Sequence, residues 1–402
     1  MRVPPPIRAL LASAAIVVAA TAAAQDVDHD KDYVLSATST ARGAGVPAGS
    51  TRMVVHSSQG AFPGTTRRVW VHLPAEPILE KVGDEGLAVM VFQDGHAYVD
   101  EQGQFRVPIV LDNLVHAGKI PPLAAIFVDP GHTGGGLPGE KPGWQPAANN
   151  RSLEYDTLSP EYARFLEESI LPLAASDDRL KAAGVRLTAD PDKRAICGIS
   201  SGGICAFTVA FERPDLFRKV LSHVGSFTDI RGGDKYPSIV RKSKPAPKPI
   251  RVILQDGEHD LDNQHGNWWL ANLQMEKALA FAGYDHRFLG GVGGHNHRHG
   301  AAVLPEMLAW VWRDWKAERA AARWPGKVIA RICGEGLDDT DAWPSKPLAA
   351  AEAFPLPAFA LADLPATYVD DGVRGERPSP SLVRLAATVP MPAGVHRFLI
   401  RA

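Results

Sequence analysis

Arg194-Ala-Ile-Cys-Gly-Ile-Ser-Ser-Gly-Gly-Ile-Cys-Ala-Phe-Thr-Val-Ala-Phe211 reads as a strand, a tight turn and a helix in unbroken succession. The apolar run Arg194–Cys197 has the length of a short buried strand, a helix begins near Ile204, and between them stands Gly198-Ile199-Ser200-Ser201-Gly202. This is the nucleophile-elbow pattern Gly-x-Ser-x-Gly in the setting it needs. A serine at its centre sits on a strained turn that lifts the hydroxyl clear of the sheet, and glycine on either side lets strand and helix approach. The alternative is a glycine-rich turn that only connects two elements.

The flanking sequence supports the first reading. Strand-like Arg68–Leu73, Leu87–Phe92, Ala124–Val128, Lys219–Val224, Ile250–Gln255 and Arg287–Leu289 alternate with helical stretches at Pro160–Leu173, Trp268–Ala282 and Ala302–Arg319. Nearly continuous apolar strands separated by helices predict an α/β protein with a buried, mostly parallel central sheet.

Composition bounds the partners. The chain has 402 residues, and its 43 Lys+Arg against 45 Asp+Glu leave a formal net charge of -2. Such a balance offers no basic field for phosphates, so neither nucleic acid nor an anionic membrane surface is expected. With 3 Cys, a disulfide framework cannot hold the fold. Residues 1–24 carry Arg2 and Arg8, the apolar run Ala9–Ala20 and Ala22-Ala23-Ala24. They read as a signal peptide cleaved before Gln25, which predicts a secreted or periplasmic protein. Residues 25–60 look like an exposed leader and the first strands, with nothing catalytic among them. Residues 61–323 form the main α/β domain. Residues 324–402 are proline-rich and β-type, with Leu382–Val389 and Val395–Ile400 resembling a hairpin.

A serine hydroxyl needs a positioned base, and on an elbow scaffold the partners follow in the order Ser, acid, His. The acid is expected at Asp260, in the loop Asp256-Gly-Glu-His-Asp260-Leu-Asp262 that leaves strand Ile250–Gln255, with Asp256, Glu258 and Asp262 as rivals. The base is expected at His295 in the glycine-rich Gly290-Gly-Val-Gly-Gly-His295. A zinc site made of His295, His297 and His299 competes with that assignment. Oxyanion donors are expected from the backbone of Ser201 and of Gly95 or His96, after strand Met90–Phe92. Tyr98, Arg151, Trp268 and Trp269 are candidates for substrate contact, although Arg151 could equally form a structural pair with Glu154, and the tryptophans could be core.

Phe92-Gln-Asp-Gly95, Asn150-Arg-Ser-Leu-Glu-Tyr-Asp156, Gly198–Gly203 with Phe217–His223, Leu254-Gln-Asp-Gly257 through Asn267-Trp268, and Gly293-Gly-His-Asn296 together carry a resemblance. Over Gly60–Trp315 the chain resembles the enterochelin esterase-like branch of the putative esterase (esterase D) family, related to feruloyl and acetyl xylan esterases. The resemblance implies an α/β-hydrolase fold with a triad on Ser200, Asp260 and His295. It also implies hydrolysis of a small-molecule or carbohydrate-linked carboxylic ester without a cofactor. An acyltransferase on the same fold and a non-catalytic carbohydrate-binding protein are the competing readings. Ile199, His297 and His299 depart from the usual pattern and bear on the polarity of the pocket. The segment after Arg323 lies outside the resemblance.

Overall fold

The computed structural model describes residues 28–138 and 148–315, together with five short strands between 328 and 386. The signal segment 1–24 and Val395–Ile400 lie outside the described residues. The strands β1 (Ser50–Ser57), β2 (Thr65–Leu73), β3 (Ala88–Gln93), β4 (Leu123–Val128), β5 (Arg194–Ile199), β6 (Lys219–His223), β7 (Arg251–His259) and β8 (Asp285–Gly294) make up the central sheet. Their order is β1-β2-β4-β3-β5-β6-β7-β8, and the two-residue strand His132–Thr133 adds to β2. β2 runs antiparallel to both β1 and β4. From β4 to β8 every pairing is parallel. This is the mostly parallel sheet expected, with the α/β-hydrolase order.

Two apolar layers sandwich it. Val89, Val91 and Ile196 pack toward the layer that holds α2 (Ser201–Glu212) and α3 (Trp268–Ala282). Met90, Phe92 and Cys197 face the layer of α1 (Val107–His116) and α4 (His297–Val311). β3 and β4 are buried at every residue, which explains their unbroken apolar sequence. β1, by contrast, is exposed along nearly all its length, including Met53, Val54 and Val55.

Local chemistry moved several boundaries. The helix expected over Pro160–Leu173 widens to a π turn at Leu166–Ile170, just ahead of Pro172, which has no N–H to donate. α4 starts at His297 instead of Ala302, because the Asn296 side chain caps it by accepting the Arg298 N–H at 2.8 Å. α1 had no counterpart among the expected helices. In the C-terminal segment, Leu382–Ala386 pairs antiparallel with Val328–Cys333, which also pairs with Glu352–Leu356.

The loop after β4 is tied to β2 by a buried ion pair. Arg67 and Glu154 are both fully buried and joined bidentately, at 2.6 and 2.9 Å. Glu154 also accepts from Asn150 Nδ2 and the Gly131 N–H, and the Arg67 guanidinium lies 4.2 Å over the Phe165 ring. Glu154→Gln leaves a buried guanidinium without its counter-charge and is expected to cost about 3–5 kcal/mol, read from urea unfolding. Adding Arg67→Met to that variant should recover much of the loss.

Candidate functional site

Four loops at the carboxyl ends of β3, β5, β7 and β8 converge, as open parallel sheets arrange their functional groups. After β5, Ser200 holds φ 59° and ψ -121°, and α2 starts immediately behind it. Its N–H donates to the His223 carbonyl at 2.9 Å, and its own carbonyl accepts the Ser226 N–H at 3.1 Å. The elbow closes because residue 198 is glycine. A Cβ there would lie 2.1 Å from the Gly202 carbonyl oxygen.

Ser200, Asp260 and His295 meet. His295 Nε2 is 2.9 Å from Ser200 Oγ, and His295 Nδ1 is 2.5 Å from Asp260 Oδ1. Asp260 is buried, whereas its rivals Glu258 and Asp262 are exposed. Asp256 is fully buried beneath it, with Oδ1 accepting the Gly257 N–H at 2.7 Å. The loops carrying Asp260 and His295 touch backbone to backbone. A Cβ on Gly257 would fall 2.1 Å from the Gly293 carbonyl oxygen. Among the described residues no three His, Cys, Asp or Glu side chains converge as the zinc alternative needs: the His299 ring nitrogen bonds Gln255 and its ring stacks on Tyr33, while His297 lies against Phe105.

One serine left without a role in the sequence reading, Ser226, bears on Ser200. Ser226 Oγ is 3.2 Å from Ser200 Oγ and accepts Trp268 Nε1–H at 3.1 Å. An indole can only donate, so Ser226 keeps its own proton free to give to Ser200 Oγ, which in turn donates to His295. Burial raises the pKa of Asp156, and the Ser152 and Ser201 hydroxyls act against that rise.

Around the oxyanion position the expectations divide. No hydrogen bond among the described residues engages the Ser201 or Gly95 N–H, so both stay available. His96 does not: its N–H donates to Asp129 Oδ1 at 3.0 Å, and its ring Nδ1 lies 2.7 Å from the same oxygen. The β3 loop turns at Asp94, in the left-handed region at φ 53°. Arg151 holds that turn, with Nε and Nη2 at 2.8 and 2.7 Å from the Asp94 carboxylate and Nη2 reaching the Ile199 carbonyl. Arg151 therefore pairs with Asp94 and not with Glu154, and its place is beneath the turn that carries Gly95.

The aromatic candidates also separate. Tyr98 is fully buried, stacked on Phe105 with centroids 4.3 Å apart, and belongs to the core, not to a substrate surface. Trp268 is buried with its ring edge-on to His295, so it props the relay. Trp269 packs on Phe288 of β8, away from the triad.

The leader also turns out to belong to the site. Asp30 Oδ2 accepts from the Gly294 N–H and from Asn296 Nδ2, at 3.1 and 2.6 Å, on either side of His295. Tyr33 Oη accepts the Val292 N–H at 2.9 Å, and the His29 ring stacks on His259, next to Asp260. Asp28 pairs with Arg298 at 2.7 Å. A cleft of about 460 Å³ opens over Ser200 and His295, walled by Asp28, Asp30, Gln104, Ile199, Asn296 and Arg298.

Comparison with known proteins bears on this site. Residues 60–311 match the family described as "Putative esterase". The iron(III) enterobactin esterase of Dickeya dadantii (strain 3937) is 24% identical over 282 residues, covering 67% of this chain and 57% of that protein. The enterobactin esterase of Shigella flexneri, solved in the presence of enterobactin, is 18% identical with a TM-score of 0.50, covering 67% of this chain and 60% of its own. A ferulic acid esterase from Anaeromyces mucronatus, solved in complex with ferulic acid, is 13% identical with a TM-score of 0.47, covering 68% of this chain and 94% of its own. The chain spans less than two thirds of the enterobactin esterases it matches. At these identities the Shigella structure shares the fold.

The histidines beneath the cleft predict an acid limit to stability. Burial pushes His223 down to about 3 and His297 down to about 4. Both stay neutral in the fold while the unfolded chain takes up protons below about pH 6.5, so stability is lost as pH falls from there. Each should remove about 1.4 kcal/mol per pH unit until its folded-state value is reached. Urea midpoints measured from about pH 7.5 to 5 should fall, and fall less steeply in His297→Asn.

Proposed function

The chain belongs to the putative esterase family, and on that premise we propose that it is a secreted or periplasmic serine carboxylic-ester hydrolase acting through an acyl-enzyme. The observation that carries this reading is the relay Ser200 Oγ to His295 Nε2 at 2.9 Å and His295 Nδ1 to Asp260 at 2.5 Å, set on the strained turn after β5. His295 takes the Ser200 proton as Oγ attacks the ester carbonyl, and Asp260 holds the imidazole so that Nε2 faces the serine. The carbonyl oxygen becomes an oxyanion within reach of the Ser201 and Gly95 N–H groups. Collapse breaks the bond to the alcohol, which leaves with the proton carried by His295. Water then attacks the acyl-serine with His295 as base, releasing the acid and restoring Ser200.

The substrate is an aryl, hydroxycinnamoyl, sugar-linked or siderophore-type ester. The enterobactin and ferulic acid named for the relatives support that range. So does a cleft that polar and charged residues line together with Ile199. Among the described residues no helix is long and apolar enough to cross a membrane. Export is read from residues 1–24, and the mature chain is expected to begin at Gln25.

Labelling the mature protein with a fluorophosphonate while following p-nitrophenyl acetate hydrolysis tests the proposal. One adduct on Ser200 is expected, with both adduct and turnover lost in Ser200→Ala and the adduct retained in Ser201→Ala. No adduct and no turnover in the folded wild type would sink the hydrolase in favour of a binding protein. Ser226→Ala removes one neutral hydrogen bond and should lower kcat about three- to tenfold.

A further inference from the structure

At the foot of the relay two buried oxygens have no donor among the described residues: Oδ2 of Asp256 and Oδ2 of Asp260. Isolated buried carboxylate oxygens are costly, and two of them together need an explanation. The two carboxyls belong to one turn, closed by the Asp260 N–H donating to the Gly257 carbonyl at 3.0 Å, and Asp260 pushes the Asp256 pKa up. Carboxylate oxygens only accept, so a hydrogen bond between two carboxyls requires that one of them carry a proton.

The surroundings say which one. Asp260 Oδ1 receives His295 Nδ1 and the Leu261 N–H at 2.6 Å, so its charge is matched by the group it serves. Asp256 receives a single N–H, from Gly257. The Asn272 side chain of α3 also faces it, but its Nδ2 already donates to the Gly225 and Trp268 carbonyls, at 2.9 and 3.1 Å. No lysine, arginine or histidine pairs with Asp256 among the described residues. A fully buried carboxylate with one donor and a second carboxylate beside it is not sustainable. Burial first, and then Asp260, push Asp256 up to about 10.

From this arrangement, and resting on the hydrolase reading above, we propose that Asp256 is a positioning residue, kept as a neutral carboxylic acid whose Oδ2–H donates to Oδ2 of Asp260. Asp260 is then held from both sides, its Oδ1 turned to His295 and its Oδ2 pinned from below. The imidazolium formed during turnover faces one negative charge and not two. Asp256 touches neither substrate nor the reacting atoms.

Three forms of the full mature chain decide the matter: wild type, Asp256→Asn, which keeps a neutral donor in place, and Asp256→Ala, which does not. Asp256→Ala should lower kcat about tenfold with KM unchanged, and Asp256→Asn should bring it back to within about threefold. The acid limb of the kcat/KM profile should sit at the same pH in wild type and in Asp256→Asn. A limb moved to lower pH by about one unit or more in Asp256→Asn would mean that an ionised Asp256 had been supporting the imidazolium, and would overturn the proposal. Full kcat in Asp256→Ala would overturn it as well. Carboxyl ¹³C NMR of aspartate-labelled protein at neutral pH is independent of turnover. One aspartate signal in the acid form is expected, absent from Asp256→Asn. If every aspartate is ionised the proposal fails, even where the esterase activity stands. If the signal is present but no ester is turned over, only the hydrolase reading fails.

Discussion

A serine held at φ 59° and ψ -121° is strained by about 1–3 kcal/mol, and it persists because its surroundings leave the turn no other path. Its N–H is fixed to the carbonyl ending β6, its carbonyl to Ser226, and Gly198 lies so near Gly202 that strand and helix share the space of a missing side chain. The rest of the cleft is arranged around that turn. β5 lies in the interior of the sheet between β3 and β6, so the Gly95 loop comes from one side and the Asp260 and His295 loops from the other. A second close approach, Gly257 on Gly293, brings those last two loops together.

Direction of hydrogen bonding passes through the site from a group that can only donate. Trp268 fixes the orientation of Ser226, Ser226 supports the Ser200 oxygen, and the Ser200 proton is left aimed at His295. Since Trp268 also packs edge-on against His295, one buried side chain restrains both Ser200, through Ser226, and His295. Preorganised donors of this kind need no rearrangement at the moment of reaction.

The same region concentrates buried polar groups. Arg67–Glu154 and Arg151–Asp94 are ion pairs whose desolvation offsets much of their attraction, so their value lies in fixing loops more than in net stability. Arg151 sets the left-handed turn at Asp94, and Arg67 anchors the loop from which Arg151 starts. His223, Gln255 and His299 form a further buried chain under the relay, closed by the ring of Tyr33 from the leader.

Much was legible in the chain before any coordinates. An elbow is written in consecutive residues, and the buried strands have continuous apolar runs, so the strand-turn-helix at Ser200 and the mostly parallel sheet could be read from the sequence, whereas spacing left Asp256, Glu258 and Asp262 beside Asp260 and only the structure brings Asp260 to His295. The expected helix Trp268–Ala282 has the bounds of α3, whose start Asn267 caps by accepting the Leu270 N–H and whose end Gly283 makes at φ 77°. What spacing could not carry was the choice of partner across the fold. Asp30 and Tyr33 meet the His295 loop from more than 250 residues away in sequence. No local pattern distinguishes such residues from an ordinary polar leader. Whether the His96 amide is free, whether Arg151 turns to Asp94 or Glu154, and whether Tyr98 faces solvent or core depend on which strands become neighbours. Local backbone preference and hydrophobic period are properties of a few adjacent residues and belong to the sequence. Pairing among buried polar groups is decided only when the sheet closes and removes water, and so it belongs to the tertiary structure.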